Sequence, residues 1–320
     1  MSQAWGMLLC LLALGLVLLV LMALASPLEA LRWWSGWSRR RSTAPPPLDT
    51  IPAAASDADF FVVYLTAIGG ISAAELSRRE RSFLDLLQGE IPEAAIIDDV
   101  YPFSVTNNPL NGERQLAWLW QRLHNSRLGG RPVLFAALIF VRNLLQVAVS
   151  GDPRYGPIYN VGVAREIALS LLQRGYRPGS GKPISVMGWS GGGQIAAGVT
   201  PYLQRMLDAP IYIVSVGGVI TNEPGVAAAR KVLHLQGSRD KFPSIGALLY
   251  PGRWPIWPYS AWNQTRHDGR IVVIDPGPMR HTGRGDYFDF KQKLPDGRSY
   301  AEQTAALVGQ FIRQQISEPL

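Results

Sequence analysis

A serine, an aspartate and a histidine stand where acyl-transfer chemistry would need them. Gly188-Trp189-Ser190-Gly191-Gly192 is a G-x-S-x-G pentapeptide that follows the apolar run 183–187 and precedes a helical pattern over 194–207. The spacing has a mechanical reason. A serine raised on a sharp strand-to-helix turn leaves no room for side chains two positions to either side, so Gly188 and Gly192 fit there. The hydroxyl then stands above the sheet at a helix N-terminus, where the Gly191 amide can donate to a developing oxyanion. Alone, the pentapeptide is a weak signal in a glycine-rich chain, and its bland alternative is an ordinary turn. The strand before it and the helix after it favour a nucleophile.

A serine hydroxyl needs a base to take its proton, and that base needs an acid to hold it. The run 232–235 (VLHL) leads into Gln236-Gly237-Ser238-Arg239-Asp240, which places Asp240 as the acid. A solvated turn aspartate is the alternative. Asp208, at a helix end, and Glu223, in a loop, stand in reserve. The run 271–275 leads into Pro276-Gly277-Pro278-Met279-Arg280-His281. Of the four histidines only His281 lies in such a loop: His124 falls in a helical stretch, His234 within a strand, and His267 ahead of its strand, on the opposite rim. The alternative for His281 is a surface loop histidine. The order Ser190, Asp240, His281 has gaps of 50 and 41 residues, and each gap suits one β/α unit.

Positioning these groups requires a sheet. Short β-branched and aromatic runs at 60–67, 94–100, 183–187, 211–216, 231–235 and 270–274 read as strands, most with helical patterns between them. Such alternation predicts an α/β fold, a mostly parallel sheet with helices on both faces. In these sheets functional residues collect beyond the carboxyl ends of the strands.

On GWSGG (188–192), QGSRD (236–240) and PGPMRH (276–281), the chain resembles the α/β-hydrolase superfamily over residues 60–315. The resemblance implies a serine hydrolase that needs no metal or organic cofactor. It also implies a second oxyanion donor from the turn after the first core strand, which here is Ile68-Gly69-Gly70, so Ile68 and Gly69 join Gly191. The chain departs from the commoner pattern in two ways. No histidine precedes the glycine pair, which argues against lipases of the HGGG type, and the proline-rich segment before residue 59 leaves no room for two leading strands, which implies a trimmed sheet.

Residues 7–25 (MLLCLLALGLVLLVLMALA) would span about 28 Å as a helix, close to the hydrocarbon thickness of a bilayer. Arg32, Arg39, Arg40 and Arg41 follow among Trp33, Trp34 and Trp37, as at a membrane interface. The expected organisation is an N-terminal transmembrane anchor with its basic and aromatic flank (1–41), a Pro/Ala-rich tether (42–58) and a catalytic domain (59–320). The basic flank favours a cytoplasmic domain. A cleaved signal peptide and export, with Ala23-Leu24-Ala25 at the cleavage site, is the alternative.

The net charge of +7 lies partly in that flank, and no motif accompanies it that would point to nucleic acid. The single cysteine, Cys10, lies in the apolar run, which excludes an intramolecular disulfide and a cysteine metal site. Two further segments bear on the substrate. Residues 133–149, apolar but for Arg142, Asn143 and Gln146, read as an acyl-pocket wall, a lipid-facing surface or a buried core element. Residues 250–262, dense in aromatics and proline, read as a cap, a membrane contact or plain packing. The expected partners are a lipid bilayer and a lipid-like acyl ester or thioester. A non-catalytic membrane-tethered scaffold and an acyltransferase are the competing readings.

Overall fold

A computed structural model describes residues 3–35, 56–112, 117–118, 120–122, 133–221 and 224–317. His124, Glu223, Trp37, Arg39, Arg40, Arg41 and most of the 42–58 tether lie outside the described residues.

Six strands form one sheet: β1 (Phe60–Leu65), β2 (Ala94–Ile97), β3 (Ile184–Trp189), β4 (Ile211–Val216), β5 (Val232–Leu235) and β6 (Ile271–Ile274). Their spatial order is β2-β1-β3-β4-β5-β6, and every pairing is parallel. Several strand ends differ from the expected runs by one to three residues. β2 stops at Ile97, where Asp99 turns out to meet Ser170 and Arg174. β3 runs on to Trp189, so the first two residues of the pentapeptide belong to the strand.

The side-chain period of two splits each strand between two cores. Phe61, Val63, Leu65, Ile184, Val186, Ile211 and Ile213 face one cluster, while Phe60, Val62, Tyr64, Met187, Val214 and Val216 face the other. Helix α3 (Arg78–Glu90) covers the second face, together with a C-terminal helix over Tyr300–Ser317. α3 starts at Arg78, because Ser77 and Glu80 form a reciprocal capping box there.

The first face is covered by α4 (Val133–Ser150), α5 (Gly156–Gln173), α6 (Gly191–Leu207), α7 (Pro224–Ala228) and α9 (Ala261–His267). α8 (Phe242–Leu249) follows the β5 loop, and the C-terminal helix is α10. Residues 250–260 form a 3-10 turn and bends with Ile256, Trp257 and Tyr259 exposed, and regular helix resumes only at Ala261. α4 is a helix that buries its polar Arg142, Asn143 and Gln146 along with Ile139, while Val141 and Leu144 face outward.

Two helices precede the sheet, α1 (Gln3–Leu24) and α2 (Leu28–Trp34). α1 packs on α4 and α2 on α5, and Ala23 and Ala30 join the first core cluster. The link between them is tied down by polar contacts: Gln146 Nε2 donates to Ser26 O (2.8 Å), and Arg142 Nη2 pairs with Glu29 (2.9 Å). Among the residues whose side chains are described, no helix is long and apolar enough to cross a membrane. Half of the α1 side chains lie outside that set, so the anchor rests on sequence alone.

Candidate active site

β3 runs straight into α6 with Ser190 at the bend. Ser190 holds φ 54° and ψ −119°, a strained conformation for a residue with a side chain. The turn can close because its flanking glycines lack a Cβ. One added at Gly188 would lie 2.2 Å from the Gly192 carbonyl carbon and oxygen, and one at Gly192 would lie 2.5 Å from Leu65 O. Trp189 points to the opposite face and packs on Phe288.

The loops after β5 and β6 meet above this bend. Ser238 N donates to Asp275 Oδ1 (3.1 Å) and Gly277 O (3.0 Å), lacing the two loops together. The second loop is also held by Arg280 N donating to Gly285 O (2.7 Å), and by Arg79 of α3, which bonds Gly283 O and pairs with buried Asp286. Burial is the largest influence on the Asp286 carboxyl and raises its pKa, with the Arg79 hydrogen bond opposing it.

The structure thus brings Ser190, His281 and Asp240 into series. Ser190 Oγ lies 2.8 Å from His281 Nε2, and His281 Nδ1 lies 3.0 Å from Asp240 Oδ2. A carboxylate only accepts, so Nδ1 carries the proton, and the neutral ring offers its Nε2 lone pair to the serine hydroxyl. Asp240, whose side chain is fully buried, has its other oxygen bonded by Phe242 N (2.9 Å). Phe242 then lies over the imidazole, with ring centroids 4.2 Å apart and planes 19° apart.

Tyr287 is the residue that sequence reasoning missed. Its hydroxyl donates to Asp240 Oδ2 (2.8 Å) and accepts from Gly237 N (2.9 Å). Burial, the largest cause, raises its pKa, so the phenol stays a donor. No local pattern marks Tyr287, because its partner lies 47 residues away. The reserve acid Asp208 caps α6 at the opposite rim and is exposed. His234 is buried in β5 with Nδ1 3.0 Å from Ser215 Oγ, and His267 ends α9.

The loop after β1 closes the other side. A Cβ on Gly191 would lie 2.5 Å from Ile68 Cγ2 and 2.9 Å from Val147 Cγ2, so the start of α6, the 68–70 loop and α4 adjoin. The loop is held from both ends: Thr66 Oγ1 donates to Glu80 (2.5 Å), and Asn143 Nδ2 donates to Ile68 O and Gly70 O, each at 2.8 Å. A cavity of about 630 Å³ lies beside Arg81, Asp85, Asp98 and Tyr101, and one of about 450 Å³ beside Pro153, Tyr202 and Tyr250. Neither is lined by Ser190 or His281. Among the described residues, no group of three or more His, Cys, Asp or Glu side chains is gathered as a metal site requires.

No known protein family matches the chain, and no curated protein matches it. Seven chains of solved structure are similar to it, among them an arylesterase of 12% identity, over 82% of this chain and 78% of that one, with a TM-score of 0.39. The all-parallel sheet and its strand order fit an α/β-hydrolase-like fold.

Proposed function

We propose that the chain is a serine hydrolase of acyl esters or thioesters, with Ser190 as nucleophile, His281 as general base and Asp240 as the acid that orients the imidazole. The observation that carries this reading is the unbroken series Ser190–His281–Asp240 at 2.8 and 3.0 Å, built on a strained serine. His281 Nε2 takes the hydroxyl proton as Ser190 Oγ attacks the carbonyl carbon. The oxyanion is held by the amide of Gly191 and an amide of the Ile68-Gly69 turn. The imidazolium then protonates the leaving group, and water, activated by the same base, releases the acyl group.

The substrate is apolar. Ile68 and Val147 form a hydrocarbon wall beside Gly191, and the α8 region presents Ile245, Leu248, Leu249 and Trp257 to the outside. A lipid-like acyl chain matches these surfaces, and the apolar sequence of α1, followed by Arg32 and the tryptophans, matches a bilayer anchor with the domain on the cytoplasmic side. The test is covalent labelling with a fluorophosphonate in the wild type, Ser190→Ala and His281→Ala, with the modified peptide located by mass spectrometry. Labelling at Ser190 that is lost in both variants is the expected result. A folded wild type that stays unlabelled would turn the reading towards a non-catalytic scaffold.

A further inference from the structure

We propose that Asn143 is a positioning residue that aims the oxyanion turn, and that the Glu29–Arg142 ion pair ties this aim to the N-terminal helix α2. The inference rests on the serine-hydrolase reading and adds to it two residues from α4 and one from α2.

Asn143 is fully buried and uses its whole amide. Nδ2 donates to Ile68 O and Gly70 O, while Oδ1 accepts from Tyr101 Oη (3.1 Å) and Arg142 Nη1 (2.9 Å). A guanidinium can only donate, so the amide oxygen must face Arg142 and the amide nitrogen must face the turn. The direction of the turn follows from peptide geometry. In a planar trans peptide the C=O and the next N–H point to opposite sides, and no peptide here is cis. Holding Ile68 O against Asn143 therefore sets the Gly69 N–H to the far side of the peptide. The same side chain fixes Gly70 O, so the turn is gripped on both sides of Gly69.

Arg142 extends the chain of contacts. It is 2% exposed, donates to Phe103 O (2.5 Å) and meets both Glu29 oxygens, at 2.9 and 3.1 Å. A buried guanidinium needs this carboxylate, because an unpaired interior charge is costly. Glu29, Arg142, Asn143 and the Ile68-Gly69 peptide thus form one polar path from α2 to the site. A purely structural network would serve stability alone. A positioning network must also change the chemistry of a protein that stays folded.

The test uses the full-length chain, a fluorophosphonate probe and a p-nitrophenyl acyl ester, with melting curves for every variant. Asn143→Asp keeps the shape and the acceptors for Arg142 and Tyr101 but removes the two donors to the turn. Labelling of Ser190 should slow about tenfold or more, short of the 10²–10³ lost when an oxyanion donor itself is removed, with kcat falling and KM nearly constant. A folded Asn143→Asp protein with wild-type labelling rate and kcat would overturn the proposal while leaving the serine reading intact. If that variant does not fold, Tyr101→Phe decides, because the Tyr101 hydroxyl meets both Asn143 Oδ1 (3.1 Å) and Gly70 O (3.4 Å): a rate lowered about two- to fivefold supports a turn aimed by this network, and an unchanged one overturns the proposal. Glu29→Gln should slow labelling by a smaller factor, and a wild-type rate there removes α2 from the proposal. A wild type that the probe never labels at Ser190 sinks the serine reading and this inference with it.

Discussion

The Tyr287 hydroxyl and the His281 imidazole share one acceptor, Asp240 Oδ2, at 2.8 and 3.0 Å. The shared oxygen fixes the carboxylate plane from two sides, so the orientation of the imidazole depends on a phenol from a distant loop. Tyr287→Phe leaves the ring in its packed place but strips Asp240 of a donor and Gly237 N of its acceptor. Stability should fall by about 1–3 kcal/mol, and kcat should drop about tenfold with KM little changed. Steady-state kinetics beside a urea titration measures both. An unaltered kcat in a destabilised protein would reduce Tyr287 to a packing residue.

His234 sets a pH dependence of stability. Burial, helped by the charge of Arg253 and opposed by that of Asp240, lowers its pKa from 6.5 to about 3. The folded protein holds the ring neutral against Ser215 while the unfolded chain takes a proton near pH 6.5. This contribution is complete above pH 6.5 and is lost as pH falls towards 3, at about 1.4 kcal/mol per pH unit within that window. Urea titrations at pH 7.5 and 5 should show the wild type losing more stability than His234→Gln, by about 2 kcal/mol. Equal losses in the two proteins would rule His234 out as the source.

Removing residues 1–35 takes away more than a tail. Arg142 loses Glu29, Gln146 loses Ser26 O, and Ala23 and Ala30 leave the core. The truncated protein should lose about 3 kcal/mol and melt roughly 6 °C lower than the full chain in the same detergent. Coincident melting curves would show that the two helices add nothing to the fold.

Much of the scaffold was legible in the chain. The strand runs at 60–67 and 211–216 lie where β1 and β4 form, because runs of β-branched and aromatic residues suit a sheet buried on both faces. Gly188 and Gly192 could be read as steric requirements of a turn, and the clashes that a Cβ would meet there are of that kind. Residues 133–149 were harder. An apolar run with three polar interruptions reads as several things, and the structure buries those three residues while exposing Val141 and Leu144. Periodicity cannot foresee that inversion, because it depends on what waits on the buried side.

The sequence alone determined the places of the strands, the bend at Ser190 and the order in which serine, acid and histidine follow one another. These depend on contacts within a few residues: backbone sterics, side-chain alternation and caps such as Ser77 with Glu80. Only the tertiary structure decided that Tyr287 would hold Asp240 and that Asn143, 75 residues from Ile68, would hold the turn. Those pairings arise when parallel strands bring distant loops to one edge, and a buried polar group there must take whichever partner the sheet order sets beside it.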